Sequence, residues 1–296
     1  MTPTIAILMI THNRLEYTRK AVGQLSRISI PFKLVIVDNA SSDQTCQYLE
    51  TIKNAFAQIQ IKSLNVHKAL SEIANEFWHE HSHYDLVGKV DNDTLVSPSW
   101  MQRLIDLHQS SDQLAAVGGF PFNVYVDWNF ETSKRNIRRL SNNMILVQSI
   151  IGGCAYLLKS SVVKDVGFLD SWTMSRDISG RMKAKRTEQG LVVSKTEIPK
   201  EGVIYGWQEW QGRAENKGYI NGYVFPLEVV DHMDDPLSCN CLLDKDDTIT
   251  ALAKKNAERR GMEYSRENIS KWIRGDGEVL FTKYVYKGPV GERVYD

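Results

Sequence analysis

The hexapeptide Lys89-Val90-Asp91-Asn92-Asp93-Thr94 follows a short apolar run and carries two carboxylates at i and i+2. With turn backbone between them, Asp91 and Asp93 can point at one divalent cation. Oxygen ligands suit Mg²⁺ and Mn²⁺, which commonly bridge carboxylates to phosphates. A cation held this way neutralises charge building on a leaving diphosphate, which is Lewis-acid catalysis. The same triplet is also ordinary content for a polar turn after a strand, so its meaning depends on the elements around it.

Those elements alternate. Residues 4–10 (TIAILMI) and 33–37 (KLVIV) are continuous apolar, β-branched runs of the kind found in strands covered on both faces. Residues 59–64 and 86–90 read as two further strands. Helical spacing of apolar residues covers 16–27, 43–53 and 67–81, with Asp38-Asn39-Ala40-Ser41-Ser42-Asp43 supplying turn and cap chemistry after the second strand. Strand and helix in short alternation predict βαβ units on a mostly parallel sheet. Ligands of such sheets bind beyond the carboxyl ends of the strands, where Asp38 and Asp91 both fall.

Beyond the triplet, the pattern predicts a helix over 98–110, a strand over 115–119, a less regular stretch over 120–150, a strand over 150–158 after Gly152-Gly153, and a short helix over 160–166. Further on come strands at 191–196 and 223–230 and a helix at 207–217. Past Pro236 the chain turns charged and amphipathic, with helices expected over 244–260 and 266–274 and a late strand over 279–286.

Composition narrows the class. Lys plus Arg and Asp plus Glu number 36 each, so the formal charge is zero and no overall field points to a polyanionic partner. No apolar run approaches the ~18 residues needed to cross a bilayer, so a cytoplasmic location is the default expectation. Cys46, Cys154, Cys239 and Cys241 form no CxxC pair and no zinc spacing, and read as free thiols.

The order of several segments resembles family 2 glycosyltransferases of the GT-A fold. Ile10-Thr11-His12-Asn13-Arg14 is similar to that family's opening nucleotide loop. Val35-Ile36-Val37-Asp38-Asn39-Ala40-Ser41-Ser42-Asp43-Gln44-Thr45 resembles its second signature, and Asp91-Asn92-Asp93 falls where the family keeps its DxD motif. Gly152-Gly153 followed by 166–170 (VGFLD) resembles the acceptor-side segment. Residues 213–219 resemble the end of the helix that carries the base. The likeness spans about residues 4–235, and the order of these motifs is more specific than any one of them.

The resemblance implies an α/β, GT-A-like fold with a mostly parallel central sheet flanked by helices. It implies a transfer domain over 1–235 (nucleotide-sugar half 1–97, acceptor half 98–235) and a C-terminal helical extension over 236–296. It also implies a metal-dependent, inverting transfer of a sugar from a nucleotide diphosphate donor, with a UDP-sugar favoured. Donor-binding residues would be Thr11, Asn13, Arg14, Asp38, Lys68, Asp91 and Asn92. Asp38 would accept hydrogen bonds from uracil or ribose, or else cap the helix after it. The metal, Mn²⁺ or Mg²⁺, would be held by Asp93 and Asp91, with His232 in Val230-Asp231-His232-Met233-Asp234 as a further contact. An imidazole beside carboxylates leans the choice towards Mn²⁺.

The acceptor side would use Gly153, with Trp207 and Trp210 either as a sugar-stacking platform or as core. An inverting reaction needs a carboxylate to take the acceptor's proton. In 205–213 (YGWQEWQGR) only Glu209 is acidic, with Trp207 standing where the family has a second acid, so Glu209 is the candidate base and solvated helix surface its alternative. The basic stretch 176–186 reads as a solvated loop with one or two charges available to a diphosphate. Lys134, Arg135, Arg138 and Arg139 are candidates for contact with an anionic acceptor. The acceptor itself, whether glycan, lipid-linked, protein or nucleic acid, is not legible. Two other classes stay open: a non-catalytic nucleotide-sugar or glycan binding module, and a nucleotidyltransferase, the latter disfavoured by the lack of a Gly-rich basic loop after the first strand.

Overall fold

The first apolar run forms β1 (Ile5–Thr11), buried at all seven positions, because helices cover both faces of the sheet around it. In the computed structural model the described residues are 2–53, 58–121, 136–169, 206–235, 238 and 240–243, with short strands at 175–176, 182–183, 185–187, 190–192, 284–288 and 291–295. After β1 come α1 (Leu15–Leu25), β2 (Lys33–Asp38), α2 (Thr45–Ile52), β3 (Ile59–Ser63), α3 (Leu70–Glu80) and β4 (Leu86–Val90). The helices bury one stripe each, as their periodicity predicts: Ala21, Val22 and Leu25 in α1, and Ile73, Ala74, Phe77 and Trp78 in α3.

The chain continues through β5 (Thr94–Leu95), α4 (Trp100–Gln109), β6 (Leu114–Gly118), β7 (Phe120–Pro121), β8 (Ile137–Leu140), β9 (Asn143–Val147), β10 (Ala155–Lys159) and α5 (Ser160–Val166). Four short strands follow as two hairpins: β11 (Ser175–Arg176) with β12 (Met182–Lys183), and β13 (Lys185–Thr187) with β14 (Gly190–Val192). Then come α6 (Gly206–Asn216), β15 (Ile220–Phe225) and β16 (Val229–His232), and finally the hairpin β17 (Tyr284–Gly288) and β18 (Gly291–Tyr295).

Nine strands make the central sheet in the order β3-β2-β1-β4-β10-β6-β15-β9-β8. The first four are parallel, and β10 enters antiparallel between β4 and β6. The sheet is therefore parallel in its first half and mixed in its second. The single run expected over 223–230 is two strands. The sheet strand β15 ends at Phe225, and β16 leaves to pair with β5 and β7 instead. The stretch 120–150 contains the β8–β9 hairpin, which periodicity missed because Arg138 and Arg139 break the apolar pattern at the sheet's edge. Residues 244–283, with both helices expected there, lie outside the described residues, as do Lys134, Arg135 and the side chains of the 176–186 stretch.

At Gly88 a Cβ would lie 2.4 Å from the Tyr156 carbonyl oxygen and 2.6 Å from a Leu157 methyl, so β4 and β10 approach as closely as they do only with glycine there. Buried His108 on α4 donates from Nε2 to the Leu157 carbonyl at 3.1 Å, while its Nδ1 meets no partner. Burial pulls its pKa down, the bond to Leu157 opposes this, and Lys159 lowers it further, leaving it at about 4. The unfolded chain takes up that proton first, near pH ~6.5. Stability is therefore full above that pH and falls as the pH drops through the window down to about 4. At roughly 1.4 kcal/mol per unit, the expected loss is on the order of 3–4 kcal/mol. Urea unfolding at neutral and mildly acidic pH should show this loss in the wild type and a flatter profile in His108→Gln, which keeps the bond to Leu157. Equal pH slopes in both would refute the assignment.

Candidate active site

The carboxyl ends of β1, β2 and β4 gather the predicted loops on one edge of the sheet. Thr11 pairs with Asp38 in register, and Asp91 continues the β4 ladder by donating its N–H to the Cys154 carbonyl at 2.7 Å. That hydrogen bond keeps Asp91 on the β10 side. The chain then turns, with the Thr94 N–H donating to the Asp91 carbonyl at 3.1 Å, and enters β5, which pairs with β16 so that Thr94 faces His232. The Met233 N–H donates to the Asp93 carbonyl at 2.8 Å, closing the second strand pair against the turn.

This divides the two acids of the triplet. Asp93 Oδ1 lies 3.9 Å from His232 Nδ1, which lies 3.9 Å from Asp234 Oδ1. Among the described residues, Asp93, His232 and Asp234 are the group whose ligand atoms all lie within 4.8 Å of one another. Two ligands each about 2.1 Å from one ion stand roughly 3–4 Å apart, so two carboxylates and an imidazole at these spacings fit a divalent cation. Asp91, expected as a second metal ligand, is not in this group. Its Oδ1 is 2.5 Å from Lys89 Nζ, which also donates to the Gly153 carbonyl at 3.1 Å. Burial pushes the Asp91 carboxyl above its ordinary range and the Lys89 ammonium works against it. At His232 burial acts to lower the pKa, but the contact with Cys154 and the carboxylates of Asp93 and Asp234 outweigh it and push it up to about 10. A cation on this imidazole must displace the proton, so its binding strengthens as the pH rises.

Arg14, at the start of α1, places Nη1 2.6 Å from Asp93 Oδ2, with its guanidinium 5.0 Å from the centre of the Tyr17 ring. Several other residues expected at the donor also hold partners within the fold. Thr11 is buried, its hydroxyl 2.7 Å from that of Thr18, and buried Asn92 donates to both, at 3.1 and 3.3 Å. Asn13 sits at φ +50°, a conformation asparagine tolerates. Its side-chain oxygen accepts from the Ser42 N–H at 2.7 Å and the Asp43 N–H at 3.3 Å, stitching the β1–α1 loop to the β2–α2 loop. Lys68 spends its ammonium on Glu76 at 2.5 Å and Glu72 at 3.4 Å, chiefly the former, which raises its pKa.

Asp38 is buried and accepts from the Ser41 N–H at 3.1 Å, so it shapes its own loop; the start of α2 is served by Asp43, which accepts from the Thr45 N–H at 2.9 Å. Asn39, which sequence reasoning passed over, is buried and binds the Lys68 backbone with both ends of its amide, at 3.0 and 2.8 Å. It thereby fixes the loop after β3 against the end of β2. His12 and His67 meet edge to face beside these loops, 5.0 Å apart.

On the acceptor side Trp207 is half-buried, stacks on Tyr156 at 4.3 Å and 14°, and donates to the Ile151 carbonyl at 3.0 Å. A Cβ on Gly153 would stand 3.3 Å from that indole, so the glycine turn lies directly against Trp207. Trp210 is 0% exposed and donates to the Gly167 carbonyl at 2.8 Å; it belongs to the core and offers no platform to a sugar. Glu209 is part of α6 but not of the Asp93 cluster. It shares a flank with Arg213, four residues on, whose guanidinium donates to the Val166 and Phe168 carbonyls at 3.1 and 2.6 Å. Asp234 and Lys89 are the charged site residues that motif reasoning missed. For Asp234 a signal was present, since His232 and Asp234 repeat the i, i+2 spacing of the first triplet.

Glycosyl transferase family 2 matches residues 6–165 of the chain. No curated protein matches it. Among solved structures, residues 1–349 of S. aureus TarS in complex with UDP-GlcNAc align at TM-score 0.52 and 12% identity, covering 92% of this chain and 71% of that one. GalNAc-T7 with UDP, GalNAc and Mn²⁺ aligns at TM-score 0.54 and 11% identity, covering 78% and 44%. A longer S. aureus TarS chain aligns at 0.52 and 13%, covering 90% and 44%, so this chain spans less than half the length of two of these three. At such identities the likeness is one of fold.

Proposed function

Because the chain belongs to glycosyl transferase family 2, we propose that it transfers a sugar from a nucleotide diphosphate donor, with a divalent cation held by Asp93, His232 and Asp234. The observation that carries this reading is the convergence of those three side chains at the end of β4, beside the loops that follow β1 and β2. The cation, Mn²⁺ for a mixed carboxylate–imidazole set, supplies charge neutralisation for the departing diphosphate. Asp38 and the Asn39-pinned loop shape the nucleoside pocket, with UDP favoured as the carrier. Arg14 lies within reach of a diphosphate at the same cation site.

Transfer with inversion needs a carboxylate to take the acceptor's proton, and Glu209 is assigned that task by its position in the motif. Lys89 holds Asp91 and the Gly153 carbonyl together between the cation site and the Trp207 wall, so Gly153 and Trp207 line the acceptor approach. We assign residues 1–235 to the transfer domain, with a donor half up to 97, and 236–296 to a C-terminal extension. Among the described residues no helix is long and apolar enough to cross a membrane.

A panel of nucleoside diphosphates tested by thermal shift, with Mn²⁺ and with EDTA, addresses the reading. One nucleotide should raise the melting temperature by several degrees with Mn²⁺ only. Glu209→Gln should keep that shift and lose turnover with the matching donor. No shift with any nucleotide would move the reading to a glycan-binding module of the same fold.

A further inference from the structure

Arg14 is a cation in an unfavourable place. It occupies the N-cap position of α1, where the helix dipole and unpaired N–H groups favour negative charge, and its side chain makes no capping bond. The one acid in the first turn, Glu16, is paired with Arg19 at 3.1 Å. What holds Arg14 is Asp93 at 2.6 Å, together with the face of Tyr17. Asp93 is 17% exposed and Arg14 40%, so the acid is fixed in the site while the guanidinium reaches it from the solvent side. Asp93 is also the residue of the cation cluster that lies on β4's own turn.

The guanidinium and a divalent cation therefore draw on one carboxylate. Resting on the function proposed above, we infer that Arg14 exchanges partners: it leaves Asp93 as that carboxylate takes up the cation, and turns to a diphosphate oxygen. An arginine displaced from Asp93 faces a helix N-terminus and a bound cation, both positive, and an anion is the partner that relieves all three. The exchange makes Arg14 a positioning residue through which cation and nucleoside diphosphate favour each other's binding, because each releases or recovers the same guanidinium.

This reading predicts changes of opposite sign. In Arg14→Gln, Mn²⁺ alone, followed by the EPR signal of the free ion, should bind about threefold more tightly than to the wild type, the worth of a part-exposed ion pair no longer competing. UDP, measured by calorimetry at saturating Mn²⁺, should bind about tenfold or more weakly, the worth of a lost charge-assisted hydrogen bond. Arg14→Lys keeps the charge without the fork and should show the same signs at smaller size, which keeps the test informative should glutamine perturb the fold. A plain phosphate ligand would leave Mn²⁺ binding unchanged, and a residue that merely orients Asp93 would weaken it; either result overturns the exchange. Wild-type protein that binds Mn²⁺ but not UDP overturns the uridine assignment alone, and the Mn²⁺ comparison still decides this inference. Binding of neither overturns the proposed function and the exchange together.

Discussion

Asp93→Asn should abolish the Mn²⁺-dependent response to nucleotide and reduce sugar transfer by about a thousandfold, the scale of several kcal/mol of charge stabilisation at a departing diphosphate. Asparagine keeps the shape of the side chain and the backbone carbonyl that accepts from Met233. It removes the anion that lies between Arg14 on one oxygen and His232 on the other. The fold should survive, since the lost ion pair is partly exposed and such pairs contribute at most about 1 kcal/mol. Asp91→Asn is the informative comparison. Its carboxylate faces Lys89 and stands outside the Asp93–His232–Asp234 group, so this variant should still bind Mn²⁺. Undiminished transfer by Asp93→Asn in the presence of chelator would remove the cation from the reaction.

Arg103→Met should destabilise the protein by about 3–5 kcal/mol in urea unfolding, because it takes the guanidinium away from a buried carboxylate. Glu228 is 0% exposed; it receives Arg103 Nη1 at 2.8 Å and the Ser97 hydroxyl at 2.6 Å, while Arg103 Nη2 donates to the Pro226 carbonyl at 2.5 Å. These bonds fasten α4 to the turn that feeds β16, and β16 carries His232. Loss of the arginine should therefore weaken Mn²⁺ binding as well as stability. Replacing both partners, Arg103→Met with Glu228→Leu, should recover most of the stability, since an apolar pair substitutes for a buried ion pair at little net loss. A single variant that loses less than about 1 kcal/mol would show that Glu228 relaxes to water or to another partner.

Much of the scaffold was legible because it is written in local pattern. The apolar, β-branched runs at 4–10 and 33–37 and the shorter segment 86–90 read as strands of a sheet covered on both faces, and they appear as β1, β2 and β4. The short helix expected over 160–166 spans those residues. Two acids in one triplet at a parallel strand's carboxyl end pointed to the candidate site, since that is where such sheets bind ligands. The likeness to family 2 came from the order of short motifs, each local in the chain.

What the tertiary structure decided is which polar group meets which. Spacing alone left Asp91 and Asp93 equivalent. The ladder bond from Asp91 to Cys154 and the pairing of β5 with β16 turn them to opposite neighbours, one to Lys89 and the other to His232 and Asp234. Thr11 and Asn92 carry the chemistry of ligand contacts, and in the fold they bond each other and Thr18, because buried polar groups take the nearest partner the fold supplies, while exposed Asn13 joins two loops. Trp207 and Trp210 stand three apart on one helix, and only packing against Trp78 and the Gly167 carbonyl makes Trp210 core. Residue types and periodicity determine what a segment can become. Partners brought from far along the chain determine which of its atoms remain available for chemistry.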